Sequence, residues 1–122
     1  MASRAPGPPN QAQVRLCLRH GGKEMILGPG RELIKLGREN SCDIVIADRK
    51  ASREHARIER RRDKFVLVDV SSNGTFVTFQ GETEMAVKRE EVLLRGRGSI
   101  SFGHPYSADP TEVAAFEIQT PT

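Results

Sequence analysis

The sequence predicts an all-β domain folded as an antiparallel-rich β-sandwich of two packed sheets. Short apolar segments recur at roughly 8–12-residue spacing, which is typical of a sandwich or a barrel. The 122 residues include 11 Gly and 7 Pro, which indicates many turns and few long helices. The strand–helix alternation of a parallel α/β fold is missing. A chain of this length corresponds to one ordinary domain.

The first part of the chain predicts four strands. Val14, Leu16 and Leu18 alternate with polar residues, which indicates a half-buried strand. Arg15, Cys17 and Arg19 then lie on its polar face. The three strands expected next span Glu24 to Leu27, Glu32 to Leu36 and Asp43 to Ile46, with Gly-containing or polar turns between them.

The second part of the chain predicts five more strands. Lys64 to Asp69 is a nearly continuous apolar run, as expected of a central strand covered on both faces. The other four are expected at His55 to Arg61, Thr75 to Phe79, Ser99 to Phe102 and Ala114 to Ile118. Two short stretches, Val87 to Val92 and Thr111 to Ala115, are compatible with helical turns and stay open.

One folded domain is expected over residues 14–119. Residues 1–13 are Pro-rich and are expected to be a disordered N-terminal tail or linker, and residues 120–122 a C-terminal tail. No apolar run approaches the ~20 residues of a membrane span, and the N-terminus lacks the apolar region of a signal peptide. Cys17 and Cys42 are too few for a disulfide framework. We therefore expect a reduced, cytoplasmic location and no membrane partner.

The net charge of +3 is too small to predict nucleic-acid binding by itself. Most of the arginines are expected to form surface salt bridges. Four of them are expected at a solvated strand edge and hairpin tip, where like charges discourage edge-to-edge sheet pairing: Arg57, Arg60, Arg61 and Arg62. Nucleic-acid binding would require a basic face with aromatic side chains between the charges, and we expect no nucleic-acid partner.

The sequence contains no recognisable catalytic set and no metal-ligand spacing. His20, His55 and His104 are too irregularly spaced for a zinc site. Ser52 lies three residues before His55 at the entrance to a strand, and this spacing directs the two side chains to opposite faces. We therefore expect His55 to hold a loop through hydrogen bonds, and we expect no enzyme activity, no cofactor and no metal.

Three polar clusters lie at strand ends, namely Gly37 to Asn40, Ser52 to His55 and Ser71 to Thr75. Together they supply arginine, hydroxyl groups and small residues that let backbone approach a ligand. Arginine can bind a phosphate through two parallel hydrogen bonds, and a serine hydroxyl donates one directed bond. The residues alone therefore indicate phosphate binding, with ordinary solvated turns as the alternative.

These motifs resemble those of the forkhead-associated (FHA) domain, a family that reads phosphothreonine peptides. The matching segments are Gly37-Arg38, Ala51 to His55, Asp69 to Val77 and Gly98 to Gly103. The resemblance extends from Val14 to Gln119, and the chain looks like bacterial FHA domains, some of which are attached to nucleotide cyclases or other signalling modules. The segment from Thr78 to Glu84 is longer and more acidic than usual, and we expect it to affect loop geometry near the site but not the phosphate pocket.

The resemblance implies an eleven-stranded sandwich of the SMAD/FHA-like type, with a ligand site built by the loops after strands three, four and six. It implies that Arg38 is the main phosphate-binding arginine and that Ser52 donates its hydroxyl to the phosphate. Three further residues are implied to contact the phosphopeptide: Arg53, Ser72 as a wall of the pocket, and Asn73 as a clamp on the peptide main chain. Gly37, His55 and Gly74 are implied to support the site.

The predicted function is therefore a phosphothreonine-peptide-binding signalling module. Its partner is expected to be a phosphothreonine-containing protein, either the substrate of a Ser/Thr kinase or a signalling domain attached to the same chain. The alternative is a protein-interaction or scaffold domain that binds independently of phosphorylation.

Overall fold

The computed structural model describes residues 14–105 and 112–120, and within these ranges the chain forms eleven strands and no helix. Both predicted tails lie outside the described residues, except for Thr120. No helix able to cross a membrane occurs in the described ranges. The strands are β1 (Arg15–His20), β2 (Lys23–Leu27), β3 (Leu33–Gly37), β4 (Ile44–Val45), β5 (Ala56–Arg61), β6 (Lys64–Asp69), β7 (Thr75–Phe79), β8 (Met85–Val87), β9 (Glu91–Leu94), β10 (Arg97–Phe102) and β11 (Ala114–Gln119).

The strands form two sheets, which confirms the predicted sandwich. The six-stranded sheet has the order β2-β1-β11-β10-β7-β8, and the five-stranded sheet has the order β4-β3-β5-β6-β9. Among the paired strands described, β3 and β4 run parallel and all other pairs are antiparallel. Hairpins and short crossings are therefore enough to connect the chain.

The core lies between the sheets and is built from the alternating apolar positions. The largest fully buried side chains are Leu16, Leu18, Leu27, Ile34, Leu36, Ile44, Ile46, Ile58, Phe65, Leu67, Ile100 and Phe102. The prediction for β6 is confirmed, because its residues from Phe65 to Asp69 are all buried and it lies between β5 and β9. Burial of apolar area stabilises by roughly 25 cal/mol per Å², so this core is the main source of stability.

Both stretches that the sequence left open turn out to contribute to strands. Val87 ends β8, and Val92 belongs to β9. These strands are only three and four residues long, and Leu93 is exposed, so neither shows a clear period of two. Ala114 begins β11, whereas Thr111 lies outside the described residues.

The expected strand edge of arginines is wrong, because β5 lies between β3 and β6 inside its sheet. Carboxylates pair with three of the four side chains. Arg61 bridges Glu59 and Glu91 at 2.8 and 2.9 Å, and the Nη1 atom of Arg60 lies 3.4 Å from Glu32. Exposed pairs of this kind contribute little each.

Cys17 lies on the outer face of its sheet, as predicted, yet it is buried. Its Sγ donates to Glu24 at 3.1 Å, and the pair of Arg19 and Glu24 lies beside it. Burial raises the pKa of this thiol, and the hydrogen bond to Glu24 raises it further. The alternation of polar and apolar residues therefore predicted the orientation of the Cys17 side chain correctly but not its burial.

The strand directions place three loops at one end of the sandwich. Strand β3 runs towards that end, β5 and β7 run away from it, and β6 returns to it. The turn after β7 lies at the opposite end, where Glu82 pairs with Arg95 and the Arg95 guanidinium lies 4.2 Å from the ring centre of Phe79. The expectation that the segment from Thr78 to Glu84 affects loop geometry near the site is therefore wrong.

Candidate functional site

The three predicted polar clusters meet at one end of the sandwich. The loops are 38–43 after β3, 46–55 after β4 and 70–74 after β6. The backbone N–H of Arg38 donates to the carbonyl of Ser52 at 2.9 Å, and the backbone N–H of Ser72 donates to the Ser52 hydroxyl oxygen at 3.0 Å. We call the end formed by these three loops the rim.

Arg38 is exposed at the rim with part of its guanidinium fixed. Its Nε donates to the carbonyl of Ala51 at 3.0 Å. The two terminal nitrogens form no hydrogen bond or ion pair with the described residues. One edge of the guanidinium thus orients the side chain, and the terminal NH groups remain available to an anion.

The Ser52 hydroxyl has a free proton at the same place. Its oxygen already accepts the N–H of Ser72, so the O–H can only donate elsewhere, and it has no acceptor among the described residues. His55 accepts the backbone N–H of Ser52 at 2.9 Å and forms no hydrogen bond with the hydroxyl. The Ser52 hydroxyl and the His55 ring are therefore not joined as a nucleophile and its base in this structure.

His55 holds two of the rim loops, 46–55 and 70–74, together through hydrogen bonds of its ring. Its ring is fully buried, with Nδ1 facing the N–H of Ser52 and Nε2 2.8 Å from the carbonyl oxygen of Gly74. Because Nδ1 accepts, the single ring proton of the neutral form is on Nε2. Burial lowers the pKa of His55, although the Gly74 carbonyl and the charge of Asp69 act in the opposite direction.

Gly37 permits a close approach that any side chain would block. A Cβ built at Gly37 would lie 2.1 Å from the carbonyl oxygen of Arg53. That oxygen accepts the N–H of Glu39 at 3.2 Å and the thiol of Cys42 at 3.3 Å. The side chain of Arg53 is exposed and forms no ion pair or hydrogen bond within the described ranges. Gly37 therefore allows the loops after β3 and β4 to pack against each other.

Asn73 and Gly74 complete the rim. The amide of Asn73 donates to the carbonyl of Lys50 at 2.9 Å, which links two loops and leaves the Asn73 carbonyl oxygen without a partner among the described residues. Gly74 has a φ of 94°, in the region that favours glycine, and its carbonyl also accepts the N–H of Gly103 at 2.9 Å. Ser72 is exposed beside Ser52.

Asp69 is the organising residue to which the sequence assigned no role. This buried carboxylate accepts the hydroxyls of Ser71 at 2.7 Å and Thr75 at 2.6 Å and the backbone N–H of Arg89 at 2.9 Å. Burial alone would raise the pKa of Asp69, but these hydrogen bonds outweigh it and lower the pKa. The signal available was an acidic residue at the end of a buried strand, directly before a loop rich in hydroxyls.

No metal centre is evident at the rim. Among the residues that the structure describes, no three His, Cys, Asp or Glu side chains are grouped as a metal ion would require. The free donors at the rim are instead arginine NH and serine OH groups, which suit a multiply charged oxyanion.

Comparisons with known proteins identify one family and several similar structures. The family model for the FHA domain matches residues 34–103. The FHA-1 domain of Mycobacterium tuberculosis Rv1747 aligns with a TM-score of 0.65 at 22% identity, covering 86% of this chain and 96% of that one. A solution structure of an FHA domain from an Arabidopsis thaliana hypothetical protein aligns with a TM-score of 0.65 at 24% identity, covering 98% of this chain and 96% of that one.

A third similar structure contains a ligand. Mycobacterium tuberculosis EmbR in complex with a low-affinity phosphopeptide aligns with a TM-score of 0.63 at 27% identity. The alignment covers 88% of this chain and 25% of EmbR, so the similarity concerns one part of that larger protein. Comparison with curated protein sequences gives no match.

Proposed function

The chain belongs to the FHA domain family, and from this premise we propose that it is a signalling module that binds phosphothreonine peptides through the rim. The partner is a phosphorylated protein, the substrate of a Ser/Thr kinase or a signalling domain attached to the same chain. The proposed activity is binding without catalysis, in the cytoplasm, where kinases supply the mark.

The observation that carries the proposal is the pairing of two free donors on adjoining loops. Arg38 and Ser52 are joined by a backbone hydrogen bond of 2.9 Å, and each has polar hydrogens without an acceptor among the described residues. A phosphate monoester has about −1.5 to −2 charges and three acceptor oxygens. The two side chains thus offer complementary donors to one dianion.

The binding mechanism follows from these groups. The terminal NH groups of Arg38 bind two phosphate oxygens, and the Ser52 hydroxyl binds the third. The free carbonyl oxygen of Asn73 then accepts a backbone N–H of the extended peptide. Each hydrogen bond to a charged group contributes about 1.5–3 kcal/mol, so the phosphate is worth about 10²-fold in affinity or more. Threonine gains over serine by about 0.8 kcal/mol when its methyl group is buried.

A second candidate function is phosphorylation-independent scaffolding. Leu33, Val66 and Leu93 lie in one cross-strand row with Glu59 on the outer face of the five-stranded sheet. Leu33 is 38% exposed and Leu93 is 45% exposed. An apolar row of this kind suits a protein partner whose binding does not require phosphate.

The test is a titration with phosphothreonine peptides. An oriented phosphothreonine library first selects one peptide, and fluorescence anisotropy then compares its phosphorylated and unphosphorylated forms. We expect wild type to prefer the phosphorylated form by about 10²-fold. Arg38→Ala should lose most of this preference, because the remaining donors cannot balance the dianion.

Arg62→Ala is the matched control. Arg62 is an exposed arginine in the β5–β6 hairpin at the far end of the sandwich, so its loss should leave binding unchanged. Circular dichroism should show both variants folded. Equal binding of the two peptide forms by wild type would contradict the proposal and favour scaffolding, and full binding by Arg38→Ala would contradict the site.

A further inference from the structure

A second pair of cations borders the rim, and no sequence motif pointed to it. Lys88 and Arg89 lie in the connection between β8 and β9. The backbone N–H of Arg89 donates to Asp69 at 2.9 Å, and its Nε donates to the carbonyl of Ser71 at 2.8 Å. This connection is therefore anchored to the same carboxylate that organises the loop 70–74.

The backbone at Arg89 is held in an unusual conformation. Its φ is 55°, in the left-handed region that disfavours residues with a side chain. The hydrogen bond to Asp69 offsets part of the cost of this conformation and directs the side chain to the loop beside the rim. The Arg89 guanidinium thus has one edge bound to Ser71 and its terminal NH groups without a partner in the described ranges.

Lys88 packs against Gly74 in the same loop, 70–74. Its side-chain carbons are 3.1, 3.2 and 3.6 Å from the position of a Cβ built on Gly74. The aliphatic stem therefore covers Gly74, next to Asn73, while the side chain is exposed and its ammonium has no hydrogen bond or ion pair with the described residues.

The side chains of Lys88 and Arg89 have no carboxylate partner among the described residues, unlike several arginines elsewhere on the domain. Seven arginines are ion-paired with carboxylates: Arg19, Arg31, Arg57, Arg60, Arg61, Arg95 and Arg97. Neither Lys88 nor Arg89 forms such a pair among the described residues. Glu90 follows Arg89 in the chain and is exposed. Its hydrogen bond to Asp69 is made by its backbone carbonyl, which accepts the N–H of Asp69 at 3.0 Å.

We propose that Lys88 and Arg89 form a second anion-binding subsite for a negatively charged group that flanks the phosphothreonine of the ligand. The proposal rests on the proposed function. The group is a carboxylate or a second phosphate, since both offer the oxygen acceptors that a guanidinium and an ammonium bind.

The subsite is separate from the phosphate site because the loop 70–74 lies between them. Ser72 contacts Ser52 on one side of this loop, whereas Ser71 contacts Arg89 on the other. An extended peptide advances about 3.3 Å per residue. A ligand that crosses the loop therefore reaches Lys88 and Arg89 with a residue within a few positions of the phosphothreonine.

The test uses peptides on one neutral backbone. The reference peptide has a single phosphothreonine with alanine and serine flanks. One series places glutamate at each of the four positions before and after it, and another places a second phosphothreonine there. At one or more positions, we expect the added charge to raise wild-type affinity about threefold to tenfold at low salt. The series with the larger gain identifies which anion the subsite prefers.

The variants separate the subsite from the phosphate site. Lys88→Gln alone should reduce the gain, and Lys88→Gln with Arg89→Gln should abolish it, while both bind the reference peptide like wild type. The control pair, Arg62→Gln with Lys64→Gln, removes two exposed cations from the far hairpin and should keep the full gain.

Three outcomes overturn the proposal. A gain that persists in the Lys88 and Arg89 double variant assigns the anion to other cations. Binding of the reference peptide without a gain at any position removes the subsite and leaves the proposed function intact. Failure of wild type to bind any of the phosphopeptides overturns both.

Discussion

The imidazole of His55 joins the loop after β4 to the loop after β6, with Nε2 2.8 Å from the carbonyl oxygen of Gly74. The other ring nitrogen accepts the backbone N–H of Ser52, the residue proposed to bind phosphate. One buried neutral side chain thus sets the spacing between two parts of the rim. Both hydrogen bonds of the ring are with backbone groups, so His55 fixes the main chain of both loops directly.

We expect the His55 ring to become protonated at a lower pH than an ordinary histidine. Burial lowers its pKa below the ordinary value of 6.5, so the charged form is disfavoured in the folded state. The unfolded chain then binds a proton more readily, and the stability due to the neutral ring is lost as the pH falls from 6.5 through the folded pKa. NMR titration of the ring should give a midpoint below 6.5, with the proton on Nε2 at neutral pH. A midpoint at or above 6.5 would contradict the buried neutral assignment.

Substitution of Gly37 should destabilise the domain through one contact. In Gly37→Ala the new Cβ would lie 2.1 Å from the Arg53 carbonyl oxygen, so the loops after β3 and β4 must separate. We expect a loss of about 1–3 kcal/mol in the free energy of unfolding, measured by urea denaturation, with weaker phosphopeptide binding. Gly22→Ala is the control, because nothing lies within 4 Å of its Cβ position, and it should change stability by less than about 0.5 kcal/mol. Equal stability of the two variants would show that the loops tolerate the separation.

Asp69 should contribute to stability in a pH-dependent way. Asp69→Asn replaces an acceptor of four hydrogen bonds and places a donor opposite another donor, which we expect to cost about 1.5–3 kcal/mol at pH 7. The lowered pKa means that the wild-type carboxylate contributes fully above 3.8 and loses its contribution as the pH falls through the folded value. Urea denaturation from neutral to acidic pH measures the free energy of unfolding of wild type and Asp69→Asn. The difference between these two free energies should narrow below pH 3.8.

Asp63→Asn provides the comparison for Asp69. Asp63 lies in the β5–β6 hairpin and has no side-chain hydrogen bond or ion pair within the described residues. Its substitution should have an effect within about 0.5 kcal/mol. If Asp69→Asn were equally mild at pH 7, the hydrogen-bond network would not organise the loop 70–74.

Local patterns were sufficient for the sandwich and for most of its strands. Leu16, Ile58 and Ile100 occupy alternating positions whose neighbours are polar, and a sheet with one buried face imposes this period directly. The short strands β8 and β9 escaped prediction because three or four residues with partly exposed side chains have no clear period. β8 forms a hairpin with β7, and β9 depends on pairing with β6, which is distant in the sequence.

The residues of the site also fall into two groups, those identified from sequence motifs and those that only the fold brings together. The motifs around Arg38, Ser52 and Asn73 could be identified from the sequence, because they resemble a known family and contain the chemistry that phosphate requires. The relation of the rim to Lys88 and Arg89 had no such signal. These residues lie fifteen and sixteen positions beyond Asn73 in the chain, and hydrogen bonds from Arg89 to Asp69 and Ser71 bring them to the loop.

The amino-acid order by itself determined the fold class, the separation into apolar and polar faces, and the residue types able to bind a phosphate. The tertiary structure alone decided that β5 lies inside its sheet, that Cys17 is buried, and which cations remain unpaired. The physical reason is range: side-chain alternation is a property of adjacent residues, whereas ion pairing and burial depend on which distant strands become neighbours.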